Sequence, residues 1–99
     1  MTSNSTHTAQ LFPLGQIAST PGALAAFAAE GITGAELLQR HRTGDWGDVD
    51  ESDRQENVLS VTEGFRILSA YTLPRTKVKL WVITEADRSL TTFLLPEEY

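Results

Sequence analysis

Asp48, Asp50 and Ser52 stand at positions one, three and five of a calcium-binding loop, where alternate oxygen ligands converge on one hard cation. The rest of that loop does not follow. Position six is Asp53 where the sharp turn needs Gly, and position twelve is Leu59 where a bidentate Glu belongs, so a calcium hand is rejected. Zinc fares no better. The histidines are His7 and His41, cysteine is absent, and a multi-histidine site would need a second chain. The absence of cysteine also removes disulfides, thiolate nucleophiles and redox switching. Gly-rich phosphate loops and G-x-S-x-G nucleophile elbows are missing too. No metal and no cofactor is expected.

Three constellations remain, each with a plain reading beside a sharper one. In Thr43-Gly44-Asp45-Trp46-Gly47-Asp48-Val49-Asp50-Glu51, a Trp is flanked by two Gly-Asp steps. It reads either as a lid folded back on the core among solvated acids, or as a recognition patch for a basic protein surface. In the second reading Trp46 is the aromatic hot spot, and Asp45, Asp48, Asp50, Glu51 and Asp53 form the acidic rim. Around the last hairpin, Thr84, Glu85, Asp87, Arg88, Ser89, Thr91 and Thr92 read as turn residues and cross-strand Thr pairs. The sharper alternative is a sheet-face active site using Glu85 as base, Arg88 as an oxyanion or phosphate contact, and Thr92 beside them. His41, one turn after Leu37 and Leu38 and beside Arg40 and Arg42, falls at a helix C-terminus, where the dipole favours a cation, and reads as a structural residue; a general base there would need a partner that the sequence does not name.

The elements that position these groups follow from local signals. Residues 1–9 are small and polar, without periodicity, and are expected to be a disordered tail that folding does not need. Leu11, Phe12, Leu14 and Ile17 are interrupted by Pro13 and Gly15, which predicts an edge strand or an extended segment laid across the core. Thr20-Pro21 starts a helix over 21–30, with Leu24, Phe27 and Ala28 at helical spacing and Gly31 after its end. Thr33 and Glu36 have the spacing of a capping box for a helix over 34–43. Asp50 caps a third helix, closed by Gly64, whose apolar stripe is Val58, Leu59 and Val61. Beyond Gly64 the period shortens to that of strands. Phe65–Thr72, Val78–Glu85 and Leu90–Leu95 predict a three-stranded antiparallel meander, with Trp81 and Ile83 in the core on its middle strand. The expected fold class is α+β: an extended N-terminal segment and three short helices packed on that meander, as one domain over 10–99.

Charge narrows the partners. Residues 1–64 carry nine acids (Glu30, Glu36, Asp45, Asp48, Asp50, Glu51, Asp53, Glu56 and Glu63) against Arg40, Arg42 and Arg54. Residues 65–99 carry five bases against four acids, within a total net charge of −5. An acidic surface opposes the counterion release on which nucleic-acid affinity rests, so direct nucleic-acid binding is disfavoured. A local basic patch of Arg66, Arg75, Lys77, Lys79 and Arg88 stands against this. No basic and apolar leader precedes residue 10, and no apolar run approaches the roughly 18 residues of a spanning helix, so a cytoplasmic protein without membrane contact is expected, as monomer or homodimer.

Leu11-Phe12-Pro13-Leu14-Gly15-Gln16-Ile17, Thr20-Pro21-Gly22-Ala23-Leu24, Gly44-Asp45-Trp46-Gly47, Trp81-Val82-Ile83-Thr84-Glu85-Ala86-Asp87-Arg88-Ser89 and Leu94-Leu95-Pro96-Glu97-Glu98-Tyr99 together resemble a family of small proteins carried on bacterial plasmids and integrative elements. The likeness covers about residues 10–99. Members of that family are often designated type I restriction endonuclease subunit M. A methyltransferase needs a doubly wound, cofactor-binding sheet built from far more than 99 residues, with a Gly-rich strand-to-helix turn that this chain lacks. The resemblance therefore implies a genomic neighbourhood and transfers no catalytic residue. Two functions fit: an acidic protein-binding module that inhibits a host nucleic-acid-handling defence system, of anti-restriction or anti-CRISPR type, and a small ribonuclease-like enzyme working from the sheet face.

Overall fold

Pro13 cannot donate to a ladder and Gly15 weakens one, so regular pairing begins only after both. The computed structural model describes residues 9–99, and in it β1 spans Gln16–Ser19. The tail expected over 1–9 lies, Ala9 apart, outside the described residues. Gly15 takes φ 68°, and a Cβ there would stand 2.3 Å from the Ser89 carbonyl carbon, so only a bare backbone passes this point.

Helix α1 spans Pro21–Glu30, α2 Ala35–Arg42 and α3 Glu51–Glu63; β2 spans Ile67–Thr72, β3 Lys79–Thr84 and β4 Leu90–Leu94. The expected three-stranded antiparallel meander is corrected by the pairing. The sheet has four strands and is mixed, in the order β1-β4-β3-β2, with β1 parallel to β4 from Gln16 opposite Leu90 to Ser19 opposite Phe93. A parallel neighbour needs a long crossover, which the three helices between β1 and β2 supply. A short Pro96–Glu98 turn of 3₁₀ helix follows β4. Its Glu98 carboxylate accepts from the Gly22 N–H at 2.9 Å and from the Thr20 hydroxyl, at the N-terminus of α1 where a negative charge is favoured.

Three helix details differ from the sequence reading. In α1 the buried residues are Ala23, Ala26, Phe27 and Glu30, while Leu24 and Ala28 face outward. The Thr33–Glu36 box does not form. Gly34 is the N-cap at φ 89°, because a Cβ there would press within 2.8 Å of the Phe27 ring and 3.1 Å of the Phe93 ring. In α3 the buried residues are Asn57 and Ser60, Val61 is half-buried, and Val58 and Leu59 are exposed.

Between helices and sheet lie two apolar clusters. One gathers Ala23, Ala26, Phe27, Leu37, Tyr71, Leu73, Leu80, Val82 and Phe93; the other gathers Phe12, Trp46 and Ile67 with Leu14, Val49 and Val61 against them. Beside them on the same sheet face stand His41, Ser69, Thr84 and Thr91, all fully buried. Strand β3 is an inner strand, yet of the two residues expected in the core only Ile83 is buried. Ile83 and Trp81 share the face turned away from the helices, where Trp81 is half-buried with its ring centre 5.7 Å from that of Tyr99.

Candidate functional site

The acid run is held at the outer edge of β2, where a strand would otherwise present unpaired backbone groups. Two devices close that edge. The Ala70 N–H donates to the Trp46 carbonyl at 3.1 Å, and the Asp48 N–H donates to the Ala70 carbonyl at 2.6 Å, so residues 46–48 run beside β2 as a one-residue bridge. One step along, the Asn57 carboxamide mimics a backbone: Nδ2 donates to the Leu68 carbonyl at 2.7 Å and Oδ1 accepts from the Leu68 N–H at 3.2 Å. Gly47 permits the approach, since a Cβ there would stand 2.1 Å from the Ala70 carbonyl oxygen.

These contacts fix loop 45–50 and α3 side by side. Asp45 forms a two-toothed pair with Arg40, Nε to Oδ2 at 2.7 Å and Nη2 to Oδ1 at 3.2 Å, which holds its carboxyl below the ordinary carboxylate value. Asp48 accepts from the Thr72 hydroxyl at 2.8 Å, and Asp50 caps α3 by accepting from the Asp53 N–H at 2.8 Å. Glu51 lies 3.6 Å from Arg54 and accepts from Gln55. Asp53 and Glu56 border a shallow cleft of about 110 Å³ with Asn57, Arg66 and Leu68.

Trp46 is only 3 % exposed, packed with Phe12 and Ile67. Its indole N–H is buried without a partner among the described residues. Asp45, Asp48, Asp50, Glu51 and Asp53 are exposed, whereas Trp46 is buried, which corrects its reading as an aromatic hot spot and agrees with a Trp folded back on the core. Two exposed apolar residues lie near these acids on α3. Val58 is 58 % exposed and Leu59 51 %, with Glu56 one turn before Leu59 and Glu63 one turn after it. The signal was available in the polar pair Asn57 and Ser60, which compete with Val58 and Leu59 for the inward face.

The hairpin residues are arranged differently. Arg88, at φ 63°, donates to the carbonyls of Phe65 and Ser60 at 2.7 Å each and to that of Glu85 at 3.2 Å, and its guanidinium lies 5.5 Å from the centre of the Phe12 ring. Glu85 is exposed at the end of β3, and Thr92 is half-buried opposite Ala18 and Ile83. Of the basic patch, Arg75 donates to the Ala29 carbonyl and Arg66 to the Tyr99 hydroxyl, while Lys77 and Lys79 are exposed.

His41 is no cation at a helix end. It follows Leu37 by one turn on the inner face of α2, fully buried, and desolvation pushes its pKa down to about 4. Its Nδ1 is 2.6 Å from the Ser69 hydroxyl and its Nε2 is 2.9 Å from Thr84 Oγ1. Thr84 Oγ1 lies 2.7 Å from Thr91 Oγ1, which donates to the Leu14 carbonyl at 2.7 Å. That carbonyl can only accept, so the chain runs one way. Thr91 receives from Thr84, Thr84 receives from His41 Nε2–H, and Nδ1 receives from Ser69. Each group is paired and none meets solvent, so the Ser69–His41 contact is a structural bond with no route for a substrate. Among the described residues no cluster of three or more His, Asp or Glu is placed to hold a metal ion. No described helix is long and apolar enough to cross a membrane. Comparison with models of known protein families, with curated proteins and with solved structures finds no match to this chain.

Proposed function

We propose that the surface formed by loop 45–50 and the outer side of α3 docks a basic protein, and that the chain acts as a binding module rather than as an enzyme. The observation that carries this reading is the composition of α3. Its carboxylates Glu51, Asp53, Glu56 and Glu63 share a helix with an exposed Val58–Leu59 pair, over a length of about 20 Å. An apolar centre within a charged surround is the anatomy of a steered protein interface. Partners in keeping with the plasmid-borne family that the chain resembles are host complexes that handle nucleic acid, whose basic channels an acidic protein would occupy in place of DNA. The ribonuclease-like alternative needs Arg88 turned to a substrate, whereas three of its five N–H donors are given to backbone carbonyls.

The test pairs Asp53→Lys/Glu56→Lys with Val58→Ser/Leu59→Ser against a partner recovered from host lysate and then purified. Charge reversal is expected to slow association about tenfold or more and to flatten its salt dependence; the serine pair is expected to speed dissociation instead. Binding of both variants at wild-type rates would overturn the proposal.

A further inference from the structure

The other edge of the sheet is treated differently from β2. In β1 the Gln16 N–H donates to the Ser89 carbonyl and the Thr20 N–H to the Phe93 carbonyl, each at 3.0 Å. By alternation, Ile17 and Ser19 turn their N–H and C=O groups outward, where no described residue pairs with them. Edge strands are blunted by short length, a charge, a proline or a bulge, and β1 has only the first of these, at four residues. Here no charged residue occurs anywhere from Ala9 to Ala29, and Ile17 is 46 % exposed. The helix packed on the two strands at this edge is α1, whose outward residues are Leu24, 58 % exposed, with Ala25 and Ala28.

We propose that the outer edge of β1 and the adjoining face of α1 form a two-fold interface with a second copy of this chain. Charge selects that occupant. A molecule of net charge −5 repels its own copy through its acidic surfaces, and the segment from Ala9 to Ala29 brings no charged residue of its own to this one. Two carboxylates border it, both hydrogen-bonded within the chain: Glu98 accepts from Thr20 and Gly22, and Glu30 from the N–H groups of Arg75 and Thr76. An edge strand meeting its own copy antiparallel across a two-fold axis satisfies the same outward groups on both sides. Ala25 and Ala28 leave room for a second helix beside the exposed Leu24. With a strand of only four residues the contact is small, and the dissociation constant falls in the micromolar range.

Sedimentation equilibrium of the full chain at about 100 μM, well above a micromolar constant, is expected to give twice the 10.9 kDa chain mass, falling towards one chain on dilution. Ile17→Lys and Ala25→Glu, both at exposed positions, are each expected to give one chain mass at the same concentration with unchanged circular dichroism and melting. Hydrogen exchange of the Ile17 and Ser19 amides is expected to slow as concentration rises. A single-chain mass for the wild type at that concentration overturns the proposal, as does a dimer that persists in both variants. Protection of those two amides at every dilution also overturns it, because the edge would then be covered by the chain itself.

Discussion

Protonating His41 puts an unpaired charge in a fully buried site, and the cost is readable as pH dependence. In the unfolded chain the imidazole titrates at its ordinary value of 6.5; in the fold, burial pushes it down to about 4. A depressed histidine value means that the unfolded state takes up the proton first. The stabilisation is therefore complete above pH 6.5 and is lost as pH falls towards 4. The slope is about 1.4 kcal/mol per pH unit, for a loss of about 2.5 kcal/mol between pH 7 and pH 4.5. Glu30, Asp45, Asp87 and Glu98 are all held below their ordinary values, so their contributions go only at lower pH and the upper window belongs to the histidine. The assay is urea unfolding at half-unit pH steps for the wild type and His41→Gln, whose carboxamide keeps one donor and one acceptor. Subtracting the two curves cancels His7. The stability difference is expected to shrink by about 2.5 kcal/mol over that window. Parallel curves would refute the burial argument.

Three further outcomes follow from the packing. Asn57→Ala removes both bonds that close β2 at Leu68 and is expected to cost about 2–3 kcal/mol in denaturant unfolding. Gly47→Ala, at φ 74° with the Ala70 carbonyl in the way, is expected to cost at least about 2 kcal/mol and to release amide protection at Asp48 and Ala70. Trp46→Phe deletes a buried N–H that has no described partner, so it is expected to cost about 1 kcal/mol or less by thermal melting, against about 3–5 for Trp46→Ala.

The parts of this fold that were legible in the sequence are those written in neighbouring residues. Thr20 accepts from the Ala23 N–H and Asp50 from that of Asp53, and Gly31 and Gly64 end their helices in the left-handed conformation, so the limits of α1 and α3 read directly. What the sequence hid depends on distant partners. β1 pairs with a strand more than 70 residues away, and a run of four residues broken off from Pro13 and Gly15 carries no sign of parallel register. The inward face of α3 is set by what β2 lacks, two backbone partners, which Asn57 supplies and Leu59 cannot. The structural role of His41 was legible from its place one turn after Leu37, but its partners Ser69 and Thr84 and its contact with the Phe12 ring, all remote in sequence, were not. The acidity of residues 45–56 was legible as charge. The exposure of Val58 and Leu59 was not, because their spacing with Val61 reads as an inward stripe.

The two ends of the sheet thus have opposite treatments, and this separates the two proposals experimentally. At β2 the backbone is occupied at Ala70 by residues 46–48 and at Leu68 by Asn57, which leaves little edge for another strand. At β1 the backbone is open and the strand uncharged. In the two-fold pair the sheets join into eight strands, placing the two copies of β2 roughly 34 Å apart at the usual strand spacing. The acidic helices then lie at opposite ends, far enough apart to be unscreened from a partner but screened from each other at physiological salt. Two docking surfaces on one body strengthen binding to any partner that offers two basic sites, without a new contact. Ile17→Lys should therefore weaken binding to such a partner while leaving the affinity for a single site unchanged. Asp53→Lys/Glu56→Lys should weaken both and leave the dimer mass intact. An Ile17→Lys protein that loses its single-site affinity would show that the two ends of the sheet are not independent.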